Sequence, residues 1–143
     1  MSFDLKLVAG DLSISNGSLA VATGSDKLIQ DILKISVTPA GANPFALWYG
    51  SLIAKTLIGS HLDHGIIVEA ATNQLQIALN TYQSLQSLQL QSFQKLSADE
   101  QLASVLNIDV QRNKYDPRYF TVSIAVLNRA YQKIHTSFTV SLF

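Results

Sequence analysis

The chain has no cysteine among its 143 residues. This absence excludes disulfide bonds, zinc sites built from thiolates and catalysis by a thiol nucleophile. Charge is also sparse, since lysine plus arginine and aspartate plus glutamate each total 10 and the formal net charge is zero. Because no basic run follows a phosphate backbone or an anionic lipid surface, we expect no nucleic acid and no membrane among the partners.

Long apolar runs are missing as well. No uncharged apolar run reaches the roughly 18 residues of a membrane-spanning helix, and Met1-Ser2-Phe3-Asp4 lacks the basic and apolar segments of a signal peptide. We therefore expect a chain made in a cytoplasm, folded as a single domain over residues 1–143. Only 14% of the residues are charged and 48% are hydrophobic, a balance that favours an assembled protein.

Proline and tryptophan are scarce, and most of them fall in one segment. Two of the three prolines and the only tryptophan lie within residues 38–50. The notable positions of this segment are Pro44, Phe45, Trp48, Tyr49 and Gly50. We interpret it as an aromatic loop between two helices. It either folds over the core or presents a docking surface, because Trp and Tyr often anchor interfaces.

The N-terminal part has the pattern of a β-hairpin followed by a helix. Short alternating runs flank Asn16-Gly17, which favours a type I′ turn because both residues adopt positive φ. Gly24-Ser25 then offers an N-cap for a helix that Pro39 ends. Five positions are predicted to share one helix face: Leu28, Ile29, Ile32, Leu33 and Ser36. No internal repeat is visible.

A long helix is predicted from about Leu62 toward Leu96. Its apolar residues recur at steps of three and four: Ile67, Ala71, Leu75, Ala78, Leu79, Tyr82 and Leu85. The second half is rich in glutamine, including Gln86 and Gln89, and this face is either solvated or packed beside other helices. Ser97 and Glu100 have the spacing of a capping box, so a short helix is predicted over residues 99–106.

The last third is predicted to be an antiparallel meander. Apolar and polar residues alternate from Ile108, from Phe120 and from Ile134. The fold class is therefore α+β, with an N-terminal hairpin and two or three helices packed on one face of a C-terminal antiparallel β-meander. The last strand lacks signals that protect an edge, so either internal pairing or a partner's strand would cover it. The positions assigned to a partner there are Ile134, Thr136, Phe138 and Val140.

No catalytic constellation stands out. His61, Asp63 and His64 have a spacing that holds a metal on a helix, but a polar helix start is favoured because no third ligand is near in sequence. Glu69 lies inside a mostly apolar helix, where an exposed position is favoured over a buried general acid. Asp116-Pro117-Arg118 is interpreted as a turn. Nucleophile-elbow and phosphate-loop motifs are absent, so no catalytic residue, metal or cofactor is expected.

Several short motifs follow one another in a distinctive order. They are Gly10 and Gly17, Gln30 before Ile32-Leu33, Thr38-Pro39-Ala40-Gly41, Pro44-Phe45, Tyr49-Gly50, the helix from Leu62 and the strands from Ile108. In this order they resemble the GPW-type baseplate wedge proteins of contractile-tailed phages. That family is often labelled lysozyme-like and has relatives in type VI secretion baseplates. The similarity covers residues 11–140, and the order carries more weight than any single motif.

The resemblance implies a structural role in a virion, as a tail baseplate subunit assembled in the host cytoplasm. In that family, the subunit binds other wedge proteins and starts polymerisation of the tail sheath, whose strands add to the meander. Sheath, wedge and tail tube or hub proteins are therefore the expected partners. The residues outside the last strand that we assign to such contacts are Pro44, Phe45, Trp48, Tyr49, Gly50, Gln86 and Gln89.

One feature of the family is absent. A Glu-Pro-Arg triad before the meander, which docks onto the wedge's helical core, is replaced here by Ser97-Ala98-Asp99-Glu100-Gln101. Asp116-Pro117-Arg118 lies in the following hairpin, so the role of the triad is not transferred to it. Two other functions stay open: a muramidase-type cell-wall hydrolase that uses Glu69, and a free-standing binding module that uses residues 45–49.

Overall fold

The computed structural model describes residues 2–57 and 63–141. Within them, six short strands precede three helices and three long strands. The short strands are β1 (Asp4–Leu5), β2 (Leu7–Val8), β3 (Asp11–Leu12), β4 (Ile14–Ser15), β5 (Ser18–Leu19) and β6 (Val21–Ala22). The helices are α1 (Gly24–Val37), α2 (Ile53–Leu57) and α3 (His64–Gln91). The long strands are β7 (Leu102–Arg112), β8 (Tyr119–Asn128) and β9 (Lys133–Ser141), which confirms the predicted α+β class.

The N-terminal strands form three antiparallel ribbons, where the sequence predicted one hairpin. β1 pairs with β6, β2 with β3, and β4 with β5. The ribbons meet at Lys6, Ser13 and Ala20, which form a closed ring of backbone hydrogen bonds. The N–H of Lys6 donates to the carbonyl of Ala20 at 2.8 Å, that of Ala20 to Ser13 at 2.8 Å, and that of Ser13 to Lys6 at 2.9 Å.

A seven-residue repeat underlies this three-way junction. Residues 4–10, 11–17 and 18–24 each have Leu at the second position, an aliphatic residue at the fourth and Gly at the seventh. The turn after β4 is the predicted Asn16-Gly17 turn, with φ values of 51° and 77°. The expectation of no internal repeat is therefore wrong. A repeat this short escapes a search for periods of 20 to 50 residues, which is where structural repeats usually occur.

Helix α1 begins at Gly24, and Thr23 occupies the N-cap position without a side-chain capping bond. Leu28, Ile32 and Ser36 are buried as predicted, whereas Ile29 and Leu33 are only half-buried. Gln30 is buried and joins the helix to the ribbons. Its Nε2 donates to the carbonyl of Leu5 at 2.8 Å and its Oε1 accepts from the N–H of Leu7 at 2.8 Å.

Helix α3 supplies most of the helical core. Its predicted apolar face is confirmed, except that Leu85 is only half-buried; the buried members are Ile67, Ala71, Leu75, Ala78, Leu79 and Tyr82. The predicted start at Leu62 lies outside the described residues. The helix ends at Gln91, five positions before Leu96, and Phe93 follows with φ of 63°.

The predicted helix over residues 99–106 is wrong. Ser97 and Glu100 do form a turn, in which the N–H of Ser97 donates to Glu100 Oε2 and the N–H of Glu100 donates to the carbonyl of Ser97, both at 3.1 Å. The chain then enters β7 at Leu102, which is buried. Pairing of β7 with β8 and burial of Leu102 outweigh the local helix signal, as tertiary context commonly does.

The three long strands form the predicted meander, in the order β7-β8-β9. The central strand carries four fully buried apolar side chains: Phe120, Val122, Ile124 and Val126. α3 packs against β7, and α1 packs against β9. The helices therefore form one layer over the apolar face of the sheet, and α1 lies beside its β9 edge.

Gln86 is a buried link between α3 and the start of β7. Its Nε2 donates to the carbonyl of Glu100 at 2.7 Å and to the hydroxyl of Tyr82 at 2.9 Å. Its Oε1 accepts from the N–H of Leu102 at 2.8 Å. A buried group that loses its hydrogen-bond partner costs roughly 1–3 kcal/mol.

We expect Gln86→Ala to lower the free energy of unfolding by about 2–3 kcal/mol, because two buried backbone groups lose their partner. Gln89→Ala is the matched control, since Gln89 is exposed on the same helix and surface changes stay within about 0.5 kcal/mol. Urea unfolding followed by circular dichroism measures both. Equal effects of the two changes would contradict the assignment of Gln86 to the core.

Candidate partner-docking surface

β9 is an edge strand with an uninterrupted register. It pairs with β8 at nine consecutive positions without a bulge. The N–H of Asn128 donates to the carbonyl of Gln132 at 3.1 Å, which fixes the phase of the antiparallel ladder. The backbone N–H and carbonyl groups of the even-numbered residues of β9 therefore point toward β8. The same groups of His135, Ser137 and Thr139 point outward, and they receive no hydrogen bond from the described part of the chain.

The opposite edge of the sheet, along β7, is protected over its first half. Its register is irregular between Leu102 and Ser104 and again between Val105 and Asn107. Gln83 covers its first residues, because its Nε2 donates to the carbonyl of Ala103 at 3.0 Å. Bulges and covering side chains are common ways of blocking an edge. β9 is therefore the edge that is regular along its whole length.

The residues of β9 named from the sequence face inward. Ile134 is buried, and Thr136, Phe138 and Val140 are half-buried on the helix side of the sheet. Their backbone N–H and carbonyl groups pair with β8. The backbone groups that point outward, where a further strand could pair, belong to the alternate residues His135, Ser137 and Thr139, which sequence reasoning missed. The turn at residues 128–131 contained the signal, since the register of this hairpin decides which backbone groups of β9 point outward.

An apolar groove of about 500 Å³ adjoins this edge. α1 forms one wall, the β2–β3 ribbon forms a second, and β9 contributes Ser137 and Phe138. The apolar lining of the groove includes Leu7, Ala9, Ile29, Leu33, Val37 and Phe138. Val37 is 55% exposed there. Three charged residues also line the groove: Lys6 and Asp26 are exposed, and Lys34 is half-buried.

The aromatic loop between α1 and α2 is closed at its base. The N–H of Ala40 donates to the carbonyl of Ser51 at 3.0 Å, and the N–H of Ser51 donates to the carbonyl of Thr38 at 2.9 Å. Between them Gly50 is buried with φ of 113°. An added Cβ there would lie 2.5 Å from the Thr38 carbonyl oxygen. Gly50 is thus required by the loop's backbone.

Some side chains of this loop pack over the core, and others are exposed as a docking surface would be. Phe45 is 97% exposed and Trp48 is 56% exposed, and Pro44 is exposed as well. Tyr49 is half-buried, packs against the core, and meets Trp48 edge-on with ring centroids 6.2 Å apart. The loop therefore rests on the core through Tyr49 and presents Phe45 and Trp48 to solvent.

The three ribbons present a second apolar surface, which the sequence did not reveal. Because side chains alternate along a strand, the residues before and after Lys6, Ser13 and Ala20 point to one face of the ribbons. These neighbours form three cross-strand pairs, Leu5 with Val21, Leu7 with Leu12, and Ile14 with Leu19. All six side chains are at least 37% exposed. The seven-residue repeat thus generates a face of six aliphatic side chains.

The two candidate glutamines differ in position. Gln86 is held in the interior, so it is not available to a partner, contrary to its assignment from the sequence. Gln89 is exposed, near the end of α3 where Leu88 and Phe93 are also exposed. The end of α3 is therefore a further apolar surface of the described chain.

Glu100 holds three chain segments together. It is 1% exposed, and it accepts hydrogen bonds from the N–H and hydroxyl of Ser2 and from the N–H of Ser97, each at 3.1 Å in its shortest contact. Burial opposes the charged form, but these donors, with the N–H of Gly24, outweigh burial and lower the pKa of the Glu100 carboxyl. The residue is therefore a structural anchor.

This anchor predicts acid sensitivity. A folded-state pKa below the ordinary value of 4.5 means that the ionised carboxylate stabilises the fold fully above pH 4.5. That stability is lost as the pH falls through the folded pKa. We expect Glu100→Gln to be less stable than the wild type at pH 7 and to lose less stability between pH 5 and pH 3. Urea midpoints across this range test it, with Glu69→Gln as the surface control; parallel curves would contradict it.

The other candidate residues are structural or exposed. The Asp63 carboxylate accepts from the N–H of Gly65 at 3.2 Å, which confirms it as a helix N-cap. His61 lies outside the described residues, and His64 and Glu69 are exposed. Asp116 and Arg118 pair within the predicted turn, and the guanidinium lowers the pKa of the Asp116 carboxyl to about 2.

The described residues contain neither a metal-binding cluster nor a membrane-spanning helix. Residues 2–57 and 63–141 contain no group of three or more side chains that could hold a metal ion. Over the same part of the chain, no helix combines the length and apolarity needed to span a membrane.

The chain matches no protein-family model and no curated protein. Its fold does match a solved structure, the 1.44 Å crystal structure of a protein from Geobacter sulfurreducens described as a "putative tail lysozyme". The two superpose with a TM-score of 0.66 over 88% of this chain and 97% of the other. Their sequences are 11% identical, so the likeness shows a common fold alone.

Proposed function

We propose that the chain is a structural subunit of a contractile tail baseplate, similar to the GPW-type wedge proteins. In this role it docks to other wedge proteins, with the tail tube or hub nearby, and starts sheath polymerisation by accepting a strand of the sheath protein at β9. The observation that carries the proposal is the regular, uncovered edge of β9 beside an apolar groove. An edge of this kind is suited to main-chain pairing with an extended segment of another protein.

The extent of exposed surface supports a subunit of an assembly. The chain exposes 8785 Å², whereas a compact monomer of 15.6 kDa is expected to expose about 7,200 Å². Large apolar side chains are exposed in the ribbons, at the loop tip and at the end of α3. Exposed apolar patches commonly mark contacts with other proteins.

A cell-wall hydrolase is the competing function, because the structural neighbour carries a lysozyme description. Glycoside hydrolysis needs a carboxylic acid whose pKa is raised so that it can protonate the leaving group. The buried carboxyl of Glu100 has a lowered pKa, and Glu69 is exposed on α3. These observations favour a role without catalysis for the two acids that burial or position singles out.

Purification of the tagged chain from its native source tests the proposal. We expect recovery with sheath, tube and baseplate proteins, identified by mass spectrometry, in tail-like particles visible by negative stain. The same preparation is assayed for peptidoglycan clearance, with Glu69→Gln as the variant. Recovery as a lone monomer whose clearing activity disappears in Glu69→Gln would overturn the structural role and support the hydrolase.

A further inference from the structure

We propose that the strand added at β9 is recognised through an apolar side chain that enters the groove between α1 and the β2–β3 ribbon. This inference rests on the proposed function and names the kind of segment that fits it. The partner segment is extended and has an aliphatic or aromatic residue opposite Phe138.

The geometry follows from the phase of β9. An added strand lies about 4.8 Å from β9 and uses the outward N–H and carbonyl groups of His135, Ser137 and Thr139. Cross-strand neighbours share one face of a sheet. Phe138 points to the helix side, where it lines the groove. The partner residue opposite Phe138 therefore points into the same groove.

The lining of the groove selects against charge at that position. Ile29 and Leu33 form the α1 wall, and Leu7 and Ala9 form the ribbon wall. Lys34 also reaches the groove, but it is already paired with Asp4 and with Asp31. Against the apolar walls, away from the exposed Lys6 and Asp26, a charged side chain would be desolvated at a cost, whereas an apolar one gains from burial.

The groove also has the size of a binding cleft. Ligand-binding clefts usually measure about 300–1,000 Å³, and this one measures about 500 Å³. Half-buried Ile29 and Leu33 and exposed Val37 would all become covered by an occupant. The groove between α1 and the β2–β3 ribbon therefore has room for a side chain of a fourth strand.

The absence of cysteine makes the groove directly testable. Val37→Cys places a single thiol in the groove, and Ile77→Cys places one on α3 at a similar exposure, 57% for Ile77. In the isolated chain both thiols are expected to react with a maleimide at similar rates. In the complex recovered from the native source, we expect at least a tenfold slower reaction at position 37, together with hydrogen-exchange protection of the β9 peptide.

The combination of the two readouts separates the two proposals. Protection of the β9 amides with position 37 as reactive as in the isolated chain would overturn the groove inference and leave strand addition standing. Unprotected β9 amides in the complex would overturn strand addition, and the groove inference with it.

A filling variant tests whether the groove must be occupied. Val37→Trp fills the groove without touching the backbone of β9, and Ile77→Trp adds the same side chain on α3. We expect the first to lower recovery of the complex at least tenfold, with an unchanged circular dichroism spectrum, and the second to leave it within twofold. Full recovery of Val37→Trp would contradict the inference.

Discussion

The Ser137→Pro variant is expected to stay folded and to fall at least tenfold in recovery with its assembly. The N–H of Ser137 points away from β8, so a proline there removes no hydrogen bond of the meander. Proline is tolerated in edge strands in this orientation. The proline ring would nevertheless occupy the space of an incoming strand and removes one donor to it. The change therefore separates pairing with a partner from folding.

Two controls define the reason for the loss. Ser137→Ala keeps the N–H and is expected to assemble normally, which excludes a role for the hydroxyl. Phe138→Pro removes an N–H that faces β8, and it is expected to destabilise the fold by roughly 3 kcal/mol or more. Recovery is measured by quantitative mass spectrometry of purified particles and folding by circular dichroism. Normal assembly of folded Ser137→Pro would rule out strand addition at β9.

The Gly50→Ala variant is expected to lose about 3–5 kcal/mol of unfolding free energy. Besides the positive φ of 113°, its new Cβ would lie 2.9 Å from the backbone nitrogen of Ala40 as well as 2.5 Å from the Thr38 oxygen. These neighbours are backbone atoms at the closed base of the loop, so they cannot move aside without breaking the Thr38–Ser51 hydrogen bond.

Gly41→Ala provides the matched control in the same loop. Gly41 also has positive φ, 85°, but no heavy atom lies within 4 Å of its added Cβ. Its expected cost is therefore only the backbone strain, about 1–2 kcal/mol. Urea unfolding of both variants measures the difference. A Gly41→Ala effect as large as that of Gly50→Ala would show that φ strain alone accounts for both.

The sequence predicted those parts of the fold whose apolar residues recur with a strong period and pack on one side against the core. The α3 face from Ile67 to Tyr82 repeats over four turns, and Phe120 to Val126 alternates without interruption. The helix over residues 99–106 was predicted wrongly because a capping box and a tight turn use the same residue types at Ser97 and Glu100. Only the pairing of β7 with the distant β8 decides between the two. Gln86 looked like a surface residue because its partners, Glu100 and Leu102, lie well beyond α3 in sequence.

The candidate site was predictable only in part, for a similar reason. The unprotected character of the last strand is readable from its composition, and so are the exposed aromatics Phe45 and Trp48. The direction of the Ser137 backbone groups depends on the register of the β8–β9 hairpin. The groove depends on three segments that lie far apart in the chain. The junction at Lys6 required recognition of a repeat of seven residues, which no helix or strand period produces.

The most direct measurement is a cryo-electron microscopy map of the particle recovered with the tagged chain. The account predicts a fourth strand about 4.8 Å from β9, contributed by a neighbouring protein at the sheath end of a baseplate, with an apolar side chain beside Phe138. A map in which the chain belongs to a particle but the β9 edge faces solvent would contradict it.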